Sequence, residues 1–164
     1  MTQSKESLLV ARAICLIALL LVFAVTFDRD AEARTLRAYD WQNRILLVFS
    51  PSMKGETMKT QLRWIDQNRD DLIERDFAVF AILPDQVKTL IVSRGADPLA
   101  TSKATAAAIR KRYKVKDDDF QVLLIGKDTG VKRRSNEPYR NNAALDQVDR
   151  MPMRQQEIIE RGGS

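Results

Sequence analysis

The residues best suited to chemistry are a group of cations in and around a segment whose pattern indicates a β-hairpin. An apolar run over 120–125 leads into a turn, Gly126-Lys127-Asp128-Thr129-Gly130, and a short, strongly basic strand follows. Guanidinium and ammonium groups, like the open amides of a helix N-terminus, favour phosphate or carboxylate ligands. The sequence therefore predicts a candidate site for an anion or an acidic partner, formed by Lys54, Lys127, Lys132, Arg133, Arg134 and Arg140.

The same cations are also consistent with an ordinary solvated surface. Asp128, Asp149 and Glu157 can pair with them, and exposed ion pairs contribute little net stability. Exposed charge runs usually serve solubility, so we favour the surface interpretation and keep the binding site as the best remaining hypothesis for function.

A second charged group lies near the C-terminus, where a helical pattern over 142–161 is interrupted by Pro152. We expect two helical pieces, with Pro152 in the first turn of the second and Asp149 as a candidate cap for its open amides. Arg154 and Glu157 are three residues apart on that second helix, and with Asp149 they are expected to tie it to the hairpin turn. We favour structural support over catalysis for this set, whose expected members are Gly126, Asp128, Gly130, Asp149, Pro152, Arg154 and Glu157.

The N-terminal 33 residues have the parts of a secretory signal peptide. Lys5 and Arg12 precede an uncharged run over 13–27, and Ala31-Glu32-Ala33 supplies a small-x-small cleavage site. We predict cleavage after Ala33, which leaves 34–164 as a single periplasmic or secreted domain. The alternative is an uncleaved inner-membrane anchor, because the apolar stretch approaches the roughly 20 residues that span a bilayer.

Export and cleavage would remove the single cysteine, Cys15, from a sequence that contains no histidine. Thiol chemistry, disulfides, zinc sites built from Cys or His, and His general bases are then excluded. The formal charge of +5 is compatible with an acidic or anionic envelope partner. Export argues against nucleic acid as that partner.

Two further groups invite a metal interpretation, which we do not favour. Asp117, Asp118 and Asp119 are adjacent, but hard cations need oxygen ligands that converge from several directions, so a solvated turn is expected. Met151 and Met153 flank a proline, where thioethers more often fill gaps in a core. We expect no metal and no bound cofactor.

The order of elements predicts an α/β fold with a mixed central sheet flanked by helices. Apolar runs over 44–50 and 77–83 indicate buried strands, and the spacing over 56–74 indicates an amphipathic helix between them. A variable insert over 84–102 follows, in which 87–93 could form a short strand and Asp97-Pro98 is an acceptable helix start. The alanines of 104–113 then indicate a helix. With the hairpin and C-terminal helices, the order is β-α-β-(insert)-α-β-β-α, which is that of a thioredoxin-like fold.

Three segments resemble the signature blocks of the family called domain of unknown function 4174. They are the lead-in Trp41-Gln42-Asn43-Arg44 with the strand after it, the hairpin segment 124–132, and 149–154 with Glu157. The resemblance covers about 36–157, nearly the whole mature chain. It implies a thioredoxin-like, peroxiredoxin-like domain of bacterial exported proteins, similar to domains in animal sushi-repeat extracellular proteins, and no established activity.

The positions that carry thiols in redox proteins of this fold hold other residues. In a thioredoxin pattern laid from Phe49, the two cysteine slots hold Lys54 and Thr57. In a peroxiredoxin pattern laid from Pro51, the threonine slot holds Gly55 and the cysteine slot holds Met58. The favoured hypothesis is therefore a cysteine-less, non-catalytic binding or scaffolding module, including attachment through its basic face. The alternative is an oxidoreductase that uses a quinone or another cofactor instead of a thiol.

Overall fold

The fold was analysed in a computed structural model that describes residues 36–93, 98–99 and 101–162. The predicted signal peptide, its cleavage site and most of the predicted turn at 94–98 lie outside these residues. Within the described part of the chain, no helix is both long and apolar enough to cross a membrane.

A mixed five-stranded sheet forms the centre of the domain. Its strands lie side by side in the order β3-β2-β1-β4-β5. β1 pairs with β2 in parallel, and the pairs β1/β4, β2/β3 and β4/β5 are antiparallel. The strands are β1 (Arg44–Phe49), β2 (Phe77–Ile82), β3 (Val87–Val92), β4 (Gln121–Ile125) and β5 (Val131–Ser135).

Five helices of the described residues accompany the sheet, and the crossover between the parallel strands holds two of them. We predicted one helix over 56–74, but the chain breaks at Asn68, whose side-chain amide nitrogen donates to the Trp64 carbonyl at 2.8 Å. The helix predicted over 104–113 begins behind Ser102, whose side chain accepts from the Thr105 amide. The helices are α1 (Glu56–Gln67), α2 (Arg69–Glu74), α3 (Lys103–Tyr113), α4 (Ala143–Asp149) and α5 (Pro152–Gly162).

Alternating side chains of the central strands fill two apolar layers, one on each face of the sheet. In β1, Leu46 and Val48 face the layer that also contains residues of α1, α2 and α4. Ile45, Leu47 and Phe49 face the other layer, which includes residues of α3. Because β1 is buried on both faces, its apolar run is continuous, as a covered central strand requires.

The uncertain insert contributes an edge strand. β3 covers 87–92, matching the short strand considered from the sequence, and pairs with β2 antiparallel. Buried Val87 packs in the layer that includes α3 and buried Ile91 in the opposite layer, and the pairing with β2 shifts register between Val79 and Phe80. The sheet therefore gains one strand beyond the elements that the predicted order required.

The hairpin turn has its left-handed residue at Thr129, with φ 65°, although the glycines at both of its ends could adopt positive φ more easily. A Cβ at Gly126 would lie 2.6 Å from the Asp128 carboxylate and 2.6 Å from Lys132 Cε, so these two side-chain ends would have to move. The turn is therefore built around the Asp128–Lys132 ion pair, which spans 2.6 Å.

Replacing Thr129 by glycine is expected to raise the free energy of unfolding by up to about 1 kcal/mol, because a β-branched residue is strained at positive φ. The gain is reduced by the greater freedom of glycine in the unfolded chain. Urea denaturation measures it. Thr129→Ala is the matched control and should show no comparable gain, since alanine keeps a Cβ at the same φ; equal gains in both variants would contradict the explanation.

The C-terminal helix α5 is attached in an unusual way. Arg154 is its single buried residue, whereas Ile158 and Ile159 are 43% and 73% exposed. Apolar packing therefore contributes little to holding α5 against the rest of the domain. Ion pairs of Arg154, Glu157 and Arg161 hold it instead.

Candidate functional site

The three family-like segments meet at one end of the sheet, where β1 begins and β4 ends. Trp41 N donates to the Lys127 carbonyl at 2.9 Å, so the lead-in lies against the hairpin turn. The Asn43 side-chain amide donates to the carbonyls of Asp76 and Ser93, at 3.2 and 3.1 Å. Residues far apart in sequence are therefore held together by a shared set of polar contacts.

Buried charges occupy the centre of this end. The Arg44 guanidinium, 1% exposed, binds both carboxylate oxygens of Glu157, at 3.1 and 3.2 Å. Lys127 Nζ lies 2.7 Å from Glu157 and 2.9 Å from Asp76. Glu157 of α5 is thus shared by a cation from β1 and a cation from the hairpin turn.

Further ion pairs extend the group to α2 and along α5. Arg75 holds Asp149 at 2.8 Å through two nitrogens, and Arg154 holds Glu74 at 2.6 Å. The Asp149 carboxylate, which we proposed as a helix cap, is engaged with Arg75 and Arg154 instead. We call the whole group the ion-pair cluster; its members are Arg44, Asp71, Glu74, Arg75, Asp76, Lys127, Asp149, Arg154, Glu157 and Arg161.

Two carboxylates of the ion-pair cluster, Asp149 and Glu157, have pKa values below their ordinary range. Burial raises the pKa of Glu157, but the hydrogen bonds and charges of Arg44 and Lys127 outweigh that effect and lower it overall. Hydrogen bonding from Arg75 lowers the pKa of Asp149. A general acid or base works best with a pKa near the operating pH. The lowered pKa values of Glu157 and Asp149 lie further from neutral pH than the ordinary values of these side chains. The arrangement therefore suits stabilisation of the fold better than proton transfer.

The opposite end of β1 is where thioredoxin-like proteins carry their thiols. Lys54 and Thr57, which occupy the thioredoxin slots, are exposed around the start of α1. Met58, in the peroxiredoxin slot, is completely buried in the layer beneath α1. The reactive positions are thus filled by two exposed polar residues and one core residue.

Arg110 joins the carboxyl ends of the two parallel strands at this end. Its Nη2 donates to the carbonyls of Ser50 and Ile82, at 2.9 and 2.8 Å, and its Nη1 donates to Lys116. We had assigned Arg110 to the basic C-terminal turn of a helix, yet it is 3% exposed. Burial lowers the pKa of Arg110, and the nearby carboxylate of Asp117 partly offsets this.

The predicted anion-binding residues do not form one surface. Lys127 belongs to the ion-pair cluster, and Lys132 pairs with Asp128. Arg133 and Arg134 lie on opposite faces of the sheet, because side chains alternate along β5. Arg134 donates to Gln121 and to the Tyr113 carbonyl on the α3 side. Lys54 is exposed in the segment before α1.

Arg133 and Arg140 both lie beside Tyr139. The Arg133 guanidinium stands over the Tyr139 ring, 5.7 Å from its centroid. Arg140 and Tyr139 line a shallow groove of about 180 Å³ together with Thr60, Arg63, Trp64 and Gln67 of α1. The grouping adds Arg63, which sequence reasoning had placed on the polar face of a helix. We call this the arginine groove.

Buried aromatic rings support the arginine groove. The rings of Trp64 and Tyr139 are 5.2 Å apart at 81°, an edge-to-face contact. Trp64 Nε1 donates to the Asn141 carbonyl at 3.1 Å. The buried Gln61 side chain accepts from the Tyr139 amide at 2.8 Å. Burial raises the pKa of Tyr139 to about 12, so its hydroxyl stays protonated at physiological pH.

No group of three or more His, Cys, Asp or Glu residues in the described ranges is placed to hold a metal ion. The Asp117–Asp119 segment forms a turn, in which the Asp119 carboxylate accepts from the Lys116 amide at 3.3 Å. Asp117 lies 3.7 Å from the Arg110 guanidinium. These carboxylates therefore serve the local turn and the buried arginine.

Sequence reasoning missed several of the residues that matter here, and the signals differ. Arg44 opens an otherwise apolar strand, so a charge inside a buried run was a visible hint of a buried partner. Arg110 and Arg63 carried no such hint, since a charged residue is ordinary at most positions of an amphipathic helix. Arg44 pairs with Glu157, Asp76 with Lys127 and Arg75 with Asp149, and only the packed fold brings these distant residues together.

The sequence matches the family described as a domain of unknown function, DUF4174, over residues 35–157, and the chain belongs to that family. The resemblance stated from the signature blocks is thereby confirmed. A search of curated proteins found no match.

Solved structures similar to this chain are peroxiredoxins. The reduced 2-Cys peroxiredoxin of Plasmodium vivax is 17% identical with a TM-score of 0.53, covering 74% of this chain and 83% of its own. A mitochondrial 2-Cys peroxiredoxin of Plasmodium falciparum is 17% identical with a TM-score of 0.49, covering 79% of this chain and 84% of its own. At such identity the first of these shows the fold alone. The predicted thioredoxin-like fold is confirmed.

Proposed function

We propose that this protein is an exported, non-catalytic binding module on a thioredoxin-like fold that has no thiol at its reactive positions. One observation carries the proposal: the slots for cysteine hold Lys54, Thr57 and fully buried Met58. A thiolate nucleophile must be exposed and must be stabilised by a helix N-terminus or a nearby cation. The residues at these positions supply no thiolate.

Export is supported by the N-terminal sequence. The positively charged start, the apolar run and Ala31-Glu32-Ala33 follow the order of a cleavable signal peptide. Cleavage after Ala33 would remove Cys15 and leave no cysteine in the functional protein. An acidic or anionic component of the envelope is the partner class that fits, because the arginine groove combines exposed guanidinium groups with aromatic side chains.

Reduction assays on the purified protein test the absence of thiol catalysis. With insulin disulfides or a peroxide as substrate, we expect no turnover above that of Cys15→Ser, because Cys15 is the only cysteine of the sequence. N-terminal sequencing of the exported protein shows whether Cys15 is retained. Turnover by the exported protein that disappears in Cys15→Ser would overturn the non-catalytic role.

A further inference from the structure

The arginine groove differs from the ion-pair cluster in how its charges are balanced. In the ion-pair cluster, Arg44, Arg75 and Arg154 each lie within 3.1 Å of a carboxylate oxygen. In the groove, Arg63 donates to the Thr60 hydroxyl at 3.3 Å, and Arg140 has no hydrogen bond or ion pair with a described residue. Exposed guanidinium groups therefore face this groove without a bound carboxylate.

The aromatic residues that line the arginine groove are fixed by contacts beneath its surface. Trp64 and Tyr139 are 4% and 6% exposed, and both are fixed by hydrogen bonds to the chain around them. Arg133 stands over the Tyr139 ring and adds a third positive charge beside the same aromatic residue. A site whose supporting groups are already ordered loses less conformational entropy when a ligand binds.

The donors of the groove favour a carboxylate over a phosphate. Phosphate sites usually add free backbone amides at a helix N-terminus, but the first amide of α4, at Ala143, is already bound to the Asn141 side chain at 3.2 Å. A guanidinium binds a carboxylate as well as a phosphate through two parallel hydrogen bonds, so the occupied Ala143 amide removes a donor that phosphate sites use and leaves the pairing with a carboxylate intact.

We propose that the arginine groove binds an acidic segment of a partner protein, with a Glu or Asp carboxylate held between Arg63 and Arg140. This rests on the binding role proposed above and adds the ligand class and the residues. Arg133 contributes longer-range attraction from its position over Tyr139.

Binding of a capped hexaglutamate peptide to the full-length chain tests this proposal. Trp64 serves as a fluorescent reporter in a Trp41→Phe background, because Trp41 is the only other tryptophan and is 67% exposed. The groove variant is Arg63→Glu with Arg140→Glu. The charge-matched control is Lys111→Glu with Arg150→Glu, which changes two exposed cations outside the groove by the same net charge.

We expect the Kd for hexaglutamate to rise about tenfold or more in the groove variant and less than about threefold in the control, since only the groove variant loses charge-assisted hydrogen bonds to the peptide. If the groove variant fails to fold, Arg63→Gln with Arg140→Gln is expected to show the same direction. Equal weakening in both double variants would overturn the proposal, because it would indicate general electrostatic attraction. Inorganic phosphate that competes as well as the peptide at equal ionic strength would also overturn it.

Failure of the groove proposal is distinguishable from failure of the binding role. If envelope proteins crosslink to the wild-type chain and to the groove variant alike, the protein still binds partners but uses another surface. If thiol turnover is found in the reduction assays, the non-catalytic role fails whatever the groove binds.

Discussion

Replacing Glu157 by glutamine is expected to lower the free energy of unfolding by about 3–5 kcal/mol, the usual cost of removing one partner from a buried ion pair. Glutamine keeps the size of the side chain but removes the charge that Arg44 and Lys127 share. Both cations are buried, at 1% and 9% exposure, so water cannot replace the lost carboxylate. Urea denaturation at neutral pH measures the loss.

Glu160→Gln is the matched control on the same helix, because Glu160 is exposed. A surface substitution of this kind should change stability by less than about 0.5 kcal/mol. Equal effects of Glu157→Gln and Glu160→Gln would show that the ion-pair cluster is not what attaches α5. Hydrogen exchange provides a second readout, since amides of α5 should exchange faster in Glu157→Gln than those of β1.

The same variant should change the response to acid. The pKa of Glu157 is lowered in the folded protein, with the charges of Arg44 and Lys127 outweighing the opposing effect of burial. A carboxylate with a lowered pKa contributes stability that is present above its ordinary pKa of 4.5 and is lost as the pH falls through the lower, folded value. Glu157→Gln should therefore lose less stability than the wild type as the pH falls below 4.5. Part of the acid sensitivity should remain in the variant, because the pKa of Asp149 is also lowered in the folded protein.

Replacing Arg110 by methionine is expected to destabilise the fold by about 2–4 kcal/mol, because buried carbonyl groups left without a donor cost roughly 1–3 kcal/mol each. Arg110 donates to the carbonyls of Ser50, Ile82 and Lys116, and Ile82 also accepts from the Ser50 amide at 3.2 Å. Burial of the guanidinium charge, which lowers the Arg110 pKa, is itself unfavourable. Methionine carries no charge, so the variant avoids this cost and part of the loss is offset. The midpoint of urea denaturation should fall with little change in slope.

The exposed neighbour provides the control for this second variant. Lys111→Met changes a cation of the same helix that lies at the surface, and it should leave stability nearly unchanged. If Arg110→Met costs no more than Lys111→Met, the guanidinium does not hold the two strand ends together. The expected difference arises from burial, since helix position and charge are nearly the same.

Much of the fold was predictable because its elements depend on local pattern. The runs that became β1 and β2 are apolar throughout, and each ends close to a proline, Pro51 or Pro84. Pro152 opens α5 as expected, since a proline lacks an amide and is tolerated in the first turn. The break at Asn68 was missed because the apolar spacing continues from α1 into α2, so periodicity alone indicated one helix.

The candidate sites were predictable only in part, because they depend on which charges the fold brings together. The sequence indicated that Arg154, Glu157 and Asp149 tie the C-terminal helix to the hairpin turn; in the structure Glu157 contacts Lys127 of that turn, whereas Asp149 pairs with Arg75 and Arg154 with Glu74. It also grouped Lys127 with Arg133 as cations of one region, although burial separates them. Whether the basic residues bind an anion stays a prediction that the groove variants test.

The sequence by itself determined the family, the element order apart from the insert strand and the break at Asn68, and the lack of cysteine and histidine after residue 15. These follow from residue identity and local spacing, which do not depend on distant partners. Only the tertiary structure decided which cations are neutralised and which remain open. Lys127 meets Asp76 and Glu157 across 51 and 30 residues of sequence, whereas Arg140 reaches the surface beside α1 without a carboxylate partner among the described residues. Desolvation and pairing act through space, so the same residue type becomes a structural tie at one end of the sheet and a candidate binding group at the arginine groove.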